Sequence, residues 1–472
     1  MALLTVSASH DGLRPPLGQP ATSKQNAFLY ISLSLIALGT GGIKPCVSSF
    51  GADQFDESDP KESAMKSSFF NWFFFAINMG VLLGITVMVY VQEERGWGWG
   101  FGVPAAMTVV SIAVIAAGFR VYRFQRPMGS PFTRFLQVLV AACRNHLKGA
   151  VRGGELYEVK GKESDIVGAR KLRHTNQYRF LDKAAVIAEP NTTTATKPSR
   201  WRLCTVTQVE ELKCFIRVLP IWATTISLSL SFAQMSTFFI SQSSLMNRTL
   251  STFTIPTGSV PVFGALVPLL LVPLYESLAV PLLRNLTGAR RRETKNKRIS
   301  SLQRMGVGLF IAIFAFLSAA LVEKHRRDNS TSNSGPKPLS VFWLFPQFFL
   351  MGAAEVFTYV GQLEFFYDEA TDGTRSLCSA MFLSEFGIGS WLSTALVKIV
   401  EGTTGGEERG WLRNRLDESR LDLFYWVLCG INGVSFVVYL VVAMRYKGKD
   451  GGRSGSVRDE AVLMKAEEEE GV

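Results

Sequence analysis

Ionisable side chains are rare within the longest apolar stretches of this 472-residue chain, and three of them have the type and setting to do chemistry. Lys44 closes the apolar run that begins at Asn26, Glu355 lies within the run 339–362, and Glu385 lies near the middle of 376–400. A charge on such a helix costs a few kcal/mol or more unless it is paired, neutralised by a proton or turned toward a wet cavity, so these groups point to proton binding or charge pairing. Tyr359 follows Glu355 by one helical turn and shares its face. The plainer alternatives are that Lys44 snorkels from a helix end and that Glu385 is a neutral, hydrogen-bonded structural residue. Hydrolytic or metal chemistry has no comparable footing. The four histidines, His10, His146, His174 and His325, lie outside the apolar runs, and no two of the six cysteines share a C-x-x-C spacing. Neither a metal nor another cofactor is expected, and with no nucleophile constellation the chain does not read as an enzyme.

The elements that must position these groups are helices long enough to cross a bilayer. Hydrophobic residues make up 47% of the chain and mean hydropathy is +0.18, with the apolar content gathered in long runs. Nine spanning helices are predicted, at about 26–44, 67–91, 99–120, 215–240, 254–276, 305–323, 339–362, 376–400 and 422–444. The fold class is therefore an all-α membrane protein. The net charge of +11 does not indicate a nucleic-acid partner, because it is concentrated in loops. Residues 121–214 hold 17 Lys and Arg against 8 Asp and Glu, and residues 284–304 hold 8 against the single Glu293. Basic loops flanking apolar helices belong on the cytoplasmic side. That places residues 1–25, and the sequons at Asn247 and Asn329, on the far side and Asn191 inside.

Five segments follow: 1–25; an N-terminal group of three helices at 26–120; a basic linker at 121–214; six helices at 215–444; and a Gly-, Ser- and charge-rich tail, 445–472, that reads as disordered. Within the linker, Phe132 to Ala150 carries Phe135, Leu136, Val138, Leu139, Ala142 and Cys143 among Arg134, Arg144 and Lys148. Its pattern suits either an amphipathic helix on the inner leaflet or a solvated linker helix.

Several motifs fall at helix ends and loops: GTGGIKPCVSSFGADQFD (Gly39–Asp56), FFNWFFFAINMG (Phe69–Gly80), FLDKAAV (Phe180–Val186), WRLCTVTQVEELK (Trp201–Lys213), LQRMGVGL (Leu302–Leu309) and GQLEFFYDEATDGTRSLCSA (Gly361–Ala380). Through these the chain resembles the plant nitrate and peptide transporter family, part of the proton-dependent oligopeptide transporters of the major facilitator superfamily. The resemblance runs colinearly from about Leu3 to Tyr446. It implies a major facilitator type bundle in which the motifs correspond to helices four to twelve of twelve, and Met1 to Pro16 to the end of the third helix and its turn. On that reading the first two to three helices, with the family's E-x-x-E-R motif, are absent.

The resemblance implies proton-coupled carriage of a small solute by alternating access. Lys44 falls on the motif lysine of the family's fourth helix and Glu355 on the acidic residue of its tenth. A Lys–Glu pair would act as a gate, released when Glu355 is protonated. Asn78 matches an asparagine that contacts the substrate backbone in peptide carriers, although a helix-to-helix hydrogen bond suits it equally. Phe232 stands where a nitrate carrier has a histidine, Val267 where bacterial peptide carriers have an asparagine, and Met381 where they have a pocket tryptophan. Those departures leave nitrate, di- and tripeptides, and organic anions, hormones or metabolites all open as solutes. The expected partners are the solute, protons, the bilayer and a homo- or hetero-oligomeric partner. The expected site is the plasma membrane, with the vacuolar membrane as alternative. The competing reading is a transport-incompetent short isoform or fragment that modulates a full-length partner.

Overall fold

A computed structural model of the chain describes residues 1–446 and Gly448, apart from 11, 16–19, 53, 56–58, 60–61, 63–72, 74, 125–127, 148–153, 155, 160–163, 167, 188–198, 251–252, 275–300, 331–337, 407–409, 414–415 and 447. Asn191, most of the basic segment 284–304, the first residues of the predicted span 67–91 and nearly all of the tail lie outside the described residues. Among those described, nine helices are long and apolar enough to cross a membrane. They are Ser23–Val47, Phe75–Arg95, Trp97–Arg120, Val206–Phe232, Thr257–Leu274, Ser301–Ser330, Val341–Tyr367, Arg375–Thr404 and Leu421–Arg445. The fourth departs most from expectation, beginning nine residues before the predicted 215. Thr205 and Gln208 form a reciprocal capping box there: the Gln208 amide N–H donates to Thr205 Oγ1 at 3.3 Å, and the Thr205 N–H to Gln208 Oε1 at 3.2 Å. The same helix stops at Phe232 rather than 240, and the chain turns before resuming at Phe238–Ser244.

The chain divides into two compact units. The first comprises Met1–Gln125, Ile226–Gly361 and Leu383–Phe436. Its C-terminal part has an aromatic core around the fully buried Phe239, whose ring lies 6.1 Å from Phe316, 5.3 Å from Phe348 and 5.6 Å from Tyr425. Helix Ser301–Ser330 approaches helix Val341–Tyr367 at Gly308, where a Cβ would lie 2.7 Å from the Ala354 carbonyl oxygen. Hydrogen bonds add direction to this packing, between helices from Asn432 Nδ2 to Ser231 Oγ and from the turn after Phe232 by Gln234 Nε2 to Ser393 Oγ, both 2.7 Å. In the N-terminal part, helix Ala2–Ser9 packs on helix Trp97–Ala117. Gln54, from the GADQFD motif, accepts from the Arg123 N–H at 2.9 Å, and the Arg123 guanidinium grips Glu62 through two bonds of 2.6 and 3.1 Å. The loop after helix Ser23–Ala52 is thereby tied to the segment after the third span.

Burial is uneven. In the apolar windows of the first three spans 6%, none and 6% of residues are buried, against 44%, 50% and 56% in spans four, six and seven. The first three therefore present their apolar faces outward.

The second unit comprises Arg126–Thr225, Gln362–Phe382 and Val437–Val472. This unit groups most of the basic linker with ends of helices from the C-terminal group. Helix Pro131–Leu147 buries Phe135, Val138, Ala141 and Ala142 against Leu181, Ala184, Ala185, Val209 and Leu212. Of the two readings of this segment, part of its apolar face covers a protein core, while Phe132, Leu136 and Leu139 stay exposed.

Candidate functional site

Within the first unit, three helices bring the chemically interesting side chains together. Ser229 and Phe232 come from helix Val206–Phe232, Glu355 and Tyr359 from Val341–Tyr367, and Glu385 and Phe386 from Arg375–Thr404. Ser229 and Phe232, at i, i+3, and Glu355 and Tyr359, at i, i+4, each share a helical face, whereas Glu385 and Phe386 are consecutive residues of one turn. Three rings form a wall, with centroids 5.9 Å apart for Phe232 and Tyr359, 6.1 Å for Phe232 and Phe386, and 4.9 Å for Tyr359 and Phe386. The buried Tyr359 has Ser229 as a hydrogen-bonding neighbour and both Glu355 and Glu385 as electrostatic neighbours. Glu385 is fully buried. Glu355 is half-buried and makes no ion pair or hydrogen bond among the described residues.

Gly389 permits this convergence. A Cβ there would lie 2.6 Å from both Leu230 N and the Ser229 carbonyl carbon, so the helix carrying Glu385 rests on the backbone of the helix carrying Phe232. Backbone atoms cannot swing aside as a side chain can. Gly389→Ala is therefore expected to cost about 1–3 kcal/mol by overpacking and to lower the thermal midpoint in detergent. A midpoint unchanged within a degree would show that the helices slide apart freely.

The other sequence candidates fall elsewhere. Lys44 is exposed on its helix and makes no hydrogen bond or ion pair among the described residues, so the Lys44–Glu355 pair is not engaged in this structure. Asn78 is half-buried on helix Phe75–Arg95. Met381 belongs to the second unit, where its carbonyl accepts from Trp222 Nε1 at 2.9 Å.

Sequence reasoning missed two buried polar clusters. In the first unit, Arg326 grips Glu323 through bonds of 2.9 and 2.7 Å, and Gln242 donates to Glu323 at 2.7 Å. Gln347 and Tyr425 in turn donate to Gln242 Oε1. The available signal was a Glu–Arg pair at i, i+3 where an apolar run ends. The second cluster lies in the second unit, within the TQVEELK stretch. Glu211 receives two bonds from Arg134, 2.7 and 2.8 Å long, with 6% and 1% of the two side chains exposed. Glu210 accepts from the Thr175 N–H and hydroxyl and from Lys213.

Donor atoms of His174, Asp182 and Glu210 converge within 4.8 Å, a spacing that could hold a metal ion. The buried Lys213 ammonium already meets that need, lying 2.6 Å from Asp182 Oδ1 and 2.7 Å from Glu210 Oε1. The residues present therefore suit a structural ammonium rather than a metal. Cys204 offers no reactive thiol, since burial pushes it up to about 12 against the opposing charge of Arg200.

Among the described residues, nine helices of bilayer length, with carboxylates and a tyrosine held beside an aromatic wall, define a multi-pass membrane protein. The sequence profile of the POT family matches residues 1–412, and the chain belongs to that family of membrane transporters. Among curated relatives, Protein NRT1/PTR FAMILY 8.3 of Arabidopsis thaliana is 46% identical over 464 residues, covering 95% of this chain and 78% of the relative. Protein NRT1/PTR FAMILY 8.2 of the same plant is 47% identical over 462 residues, covering 95% and 80%. The fold is similar to the crystal structure of the POT family transporter PepTSo, with a TM-score of 0.61 at 19% identity, over 89% of this chain and 79% of that one. An auto-inhibited POT family peptide transporter gives a TM-score of 0.58 at 18% identity, over 90% and 78%. A major facilitator type helical bundle is thus the fold.

Proposed function

We propose that this chain carries a small organic solute across the plasma membrane together with protons, by alternating access, with Glu355 as the group whose protonation is coupled to movement. The observation that carries this reading is the Glu355 carboxylate, half-buried on an apolar helix and unpaired among the described residues, one turn from a buried tyrosine. A carboxylate so placed takes up a proton or attracts a cation. In the state described here Lys44 stands apart. Closing the gate would bring its ammonium to the Glu355 carboxylate, and protonation of Glu355 would release it again. Asn78 offers both donors and an acceptor to a zwitterion. Phe232, Tyr359 and Phe386 offer apolar surface to a side chain or ring of the solute. Two carboxylates beside this wall disfavour a bare inorganic anion such as nitrate. They suit a solute with a protonated amine, which agrees with the peptide transporters among the structural relatives.

The test is reconstitution of the purified chain in liposomes under an inward proton gradient, with radiolabelled dipeptides, amino-acid derivatives and nitrate offered in turn. Gradient-driven uptake of an amine-bearing solute that collapses with a protonophore is the expected result. Uptake of nitrate alone would overturn the solute class.

A second reading has its own support in the exposed apolar faces of the first three spans. On it, the chain by itself does not transport and acts beside a partner carrier of the same family that covers those faces. Uptake absent from the chain alone, with altered uptake by a co-reconstituted full-length relative, would assign this reading instead.

A further inference from the structure

The second unit contains a cavity of about 630 Å³, within the usual range for a site that takes an organic molecule rather than a bare ion. Its walls come from Ile166 and Ala169–Thr175 of the linker, from the start of helix Val206–Phe232 and from the turn Thr371–Gly373. All of these residues belong to the second unit, and none belongs to the cluster around Glu355.

The acidic groups of the walls are saturated. Glu211 is held by the Arg134 fork and by the Thr371 hydroxyl, and Glu210 by Thr175 and Lys213. Asp372 is clasped by Arg170 through its backbone N–H and its guanidinium, and lies 3.2 Å from Arg375. Burial pushes the Asp372 carboxyl up, but the bonds and charge of Arg170, with the charge of Arg375, more than offset this and hold it below the usual carboxylate range. None of these three groups has spare capacity for a cationic ligand.

The donors of the same walls are in surplus. Arg217 is 6% exposed, and its Nε is buried without a hydrogen-bond partner. Among the described residues its Nη2 donates to the Cys214 sulfur at 3.0 Å and lies 3.8 Å from Glu210 Oε2, with Tyr446 as an electrostatic neighbour. A guanidinium gives up much of its hydration when buried and should recover it in bonds; a thiol sulfur is a poor acceptor. Arg173, exposed on the same wall, makes no bond to another described residue. Ile166 and Leu172 add apolar surface beside these two cations.

We propose that this cavity is a binding site, separate from the transport site, for a small organic phosphate or carboxylate. Arg217 would supply the buried fork and Arg173 a second cation at the mouth. A phosphorylated metabolite in solution and a phospholipid headgroup share this chemistry, and the test separates them.

The full chain, purified in a neutral detergent, is titrated with AMP, with citrate and with dihexanoyl phosphatidic acid while thermal unfolding is followed by tryptophan fluorescence. A ligand that binds only the folded chain raises the midpoint with concentration. Saturable stabilisation by AMP or citrate assigns a soluble anion, and stabilisation by phosphatidic acid alone assigns a headgroup. Arg217→Met should weaken the apparent affinity about tenfold or more, the scale of one lost charged hydrogen bond. Arg173→Ala, at an exposed position whose loss leaves the fold intact, should weaken it several-fold and carries the test if Arg217→Met does not fold. No stabilisation by any of the three probes, or stabilisation unchanged in Arg173→Ala and in any Arg217→Met protein that folds, overturns the proposal. Gradient-driven uptake is read separately, so failure here leaves the transport reading standing.

Discussion

A Glu355→Gln chain should retain its fold but lose the dependence of solute uptake on the proton gradient. Glutamine keeps the volume and most of the shape of the side chain, so packing beside Tyr359 is preserved. It cannot gain or lose a proton, and it cannot hold the Lys44 ammonium as a carboxylate does. Net uptake against a gradient should fall by tenfold or more, whereas equilibrative exchange of preloaded solute should survive. Lys44→Ala should damage net transport comparably by leaving the gate without its cation. Glu385→Gln separates the roles of the two carboxylates, because Glu385 is fully buried and already engaged with neighbouring residues. Its substitution should lower stability more than it alters coupling. Uptake with an unchanged pH profile in both Glu355→Gln and Lys44→Ala would remove these residues from the coupling mechanism and return them to structural roles.

The nine helices were legible because bilayer thickness fixes the length of an apolar run, so each announces itself without reference to its neighbours. Their boundaries were less so. Helix Val206–Phe232 begins inside what composition marks as linker, since the capping pair Thr205 and Gln208 acts locally and carries no hydropathy signal. Glu355, Tyr359 and Glu385 stand out in one dimension as polar departures on apolar helices, whereas Phe232 is marked only by the family resemblance. Their meeting around Tyr359, and the part played by Phe386, depends on how three helices cross, and spacing along the chain does not encode that. Within the linker, composition shows the charge but not its burial: Arg134 and Lys213 are both nearly inaccessible to solvent. Charge alone does not reveal burial when each cation is matched by a carboxylate far away in sequence or one helical turn off.

The Arg134–Glu211 contact allows that principle to be measured. Glu211→Ala is expected to destabilise the second unit by about 3–5 kcal/mol, because it strands a buried guanidinium that now donates two bonds to the lost carboxylate. Arg134 also donates to the carbonyls of Met128 and Gly129 and, at 3.2 Å, of Gly373, so it fastens the linker helix to the turn before helix Arg375–Thr404. Arg134→Met should cost a similar amount by leaving Glu211 with the Thr371 hydroxyl alone. The double substitution Arg134→Met, Glu211→Met removes both charges and fills the space with apolar atoms. It should lose much less than the two single changes added together, since no uncompensated ion remains. Chemical unfolding in detergent, followed by tryptophan fluorescence, gives the four corners of this cycle. A coupling energy near zero would mean that water reaches the pair and that the bidentate contact contributes no more than a surface ion pair. A large favourable coupling, with the double variant close to the starting protein, would mean that helix Pro131–Leu147 is locked to the start of helix Val206–Phe232 by a charge pair whose function is orientation rather than net stability.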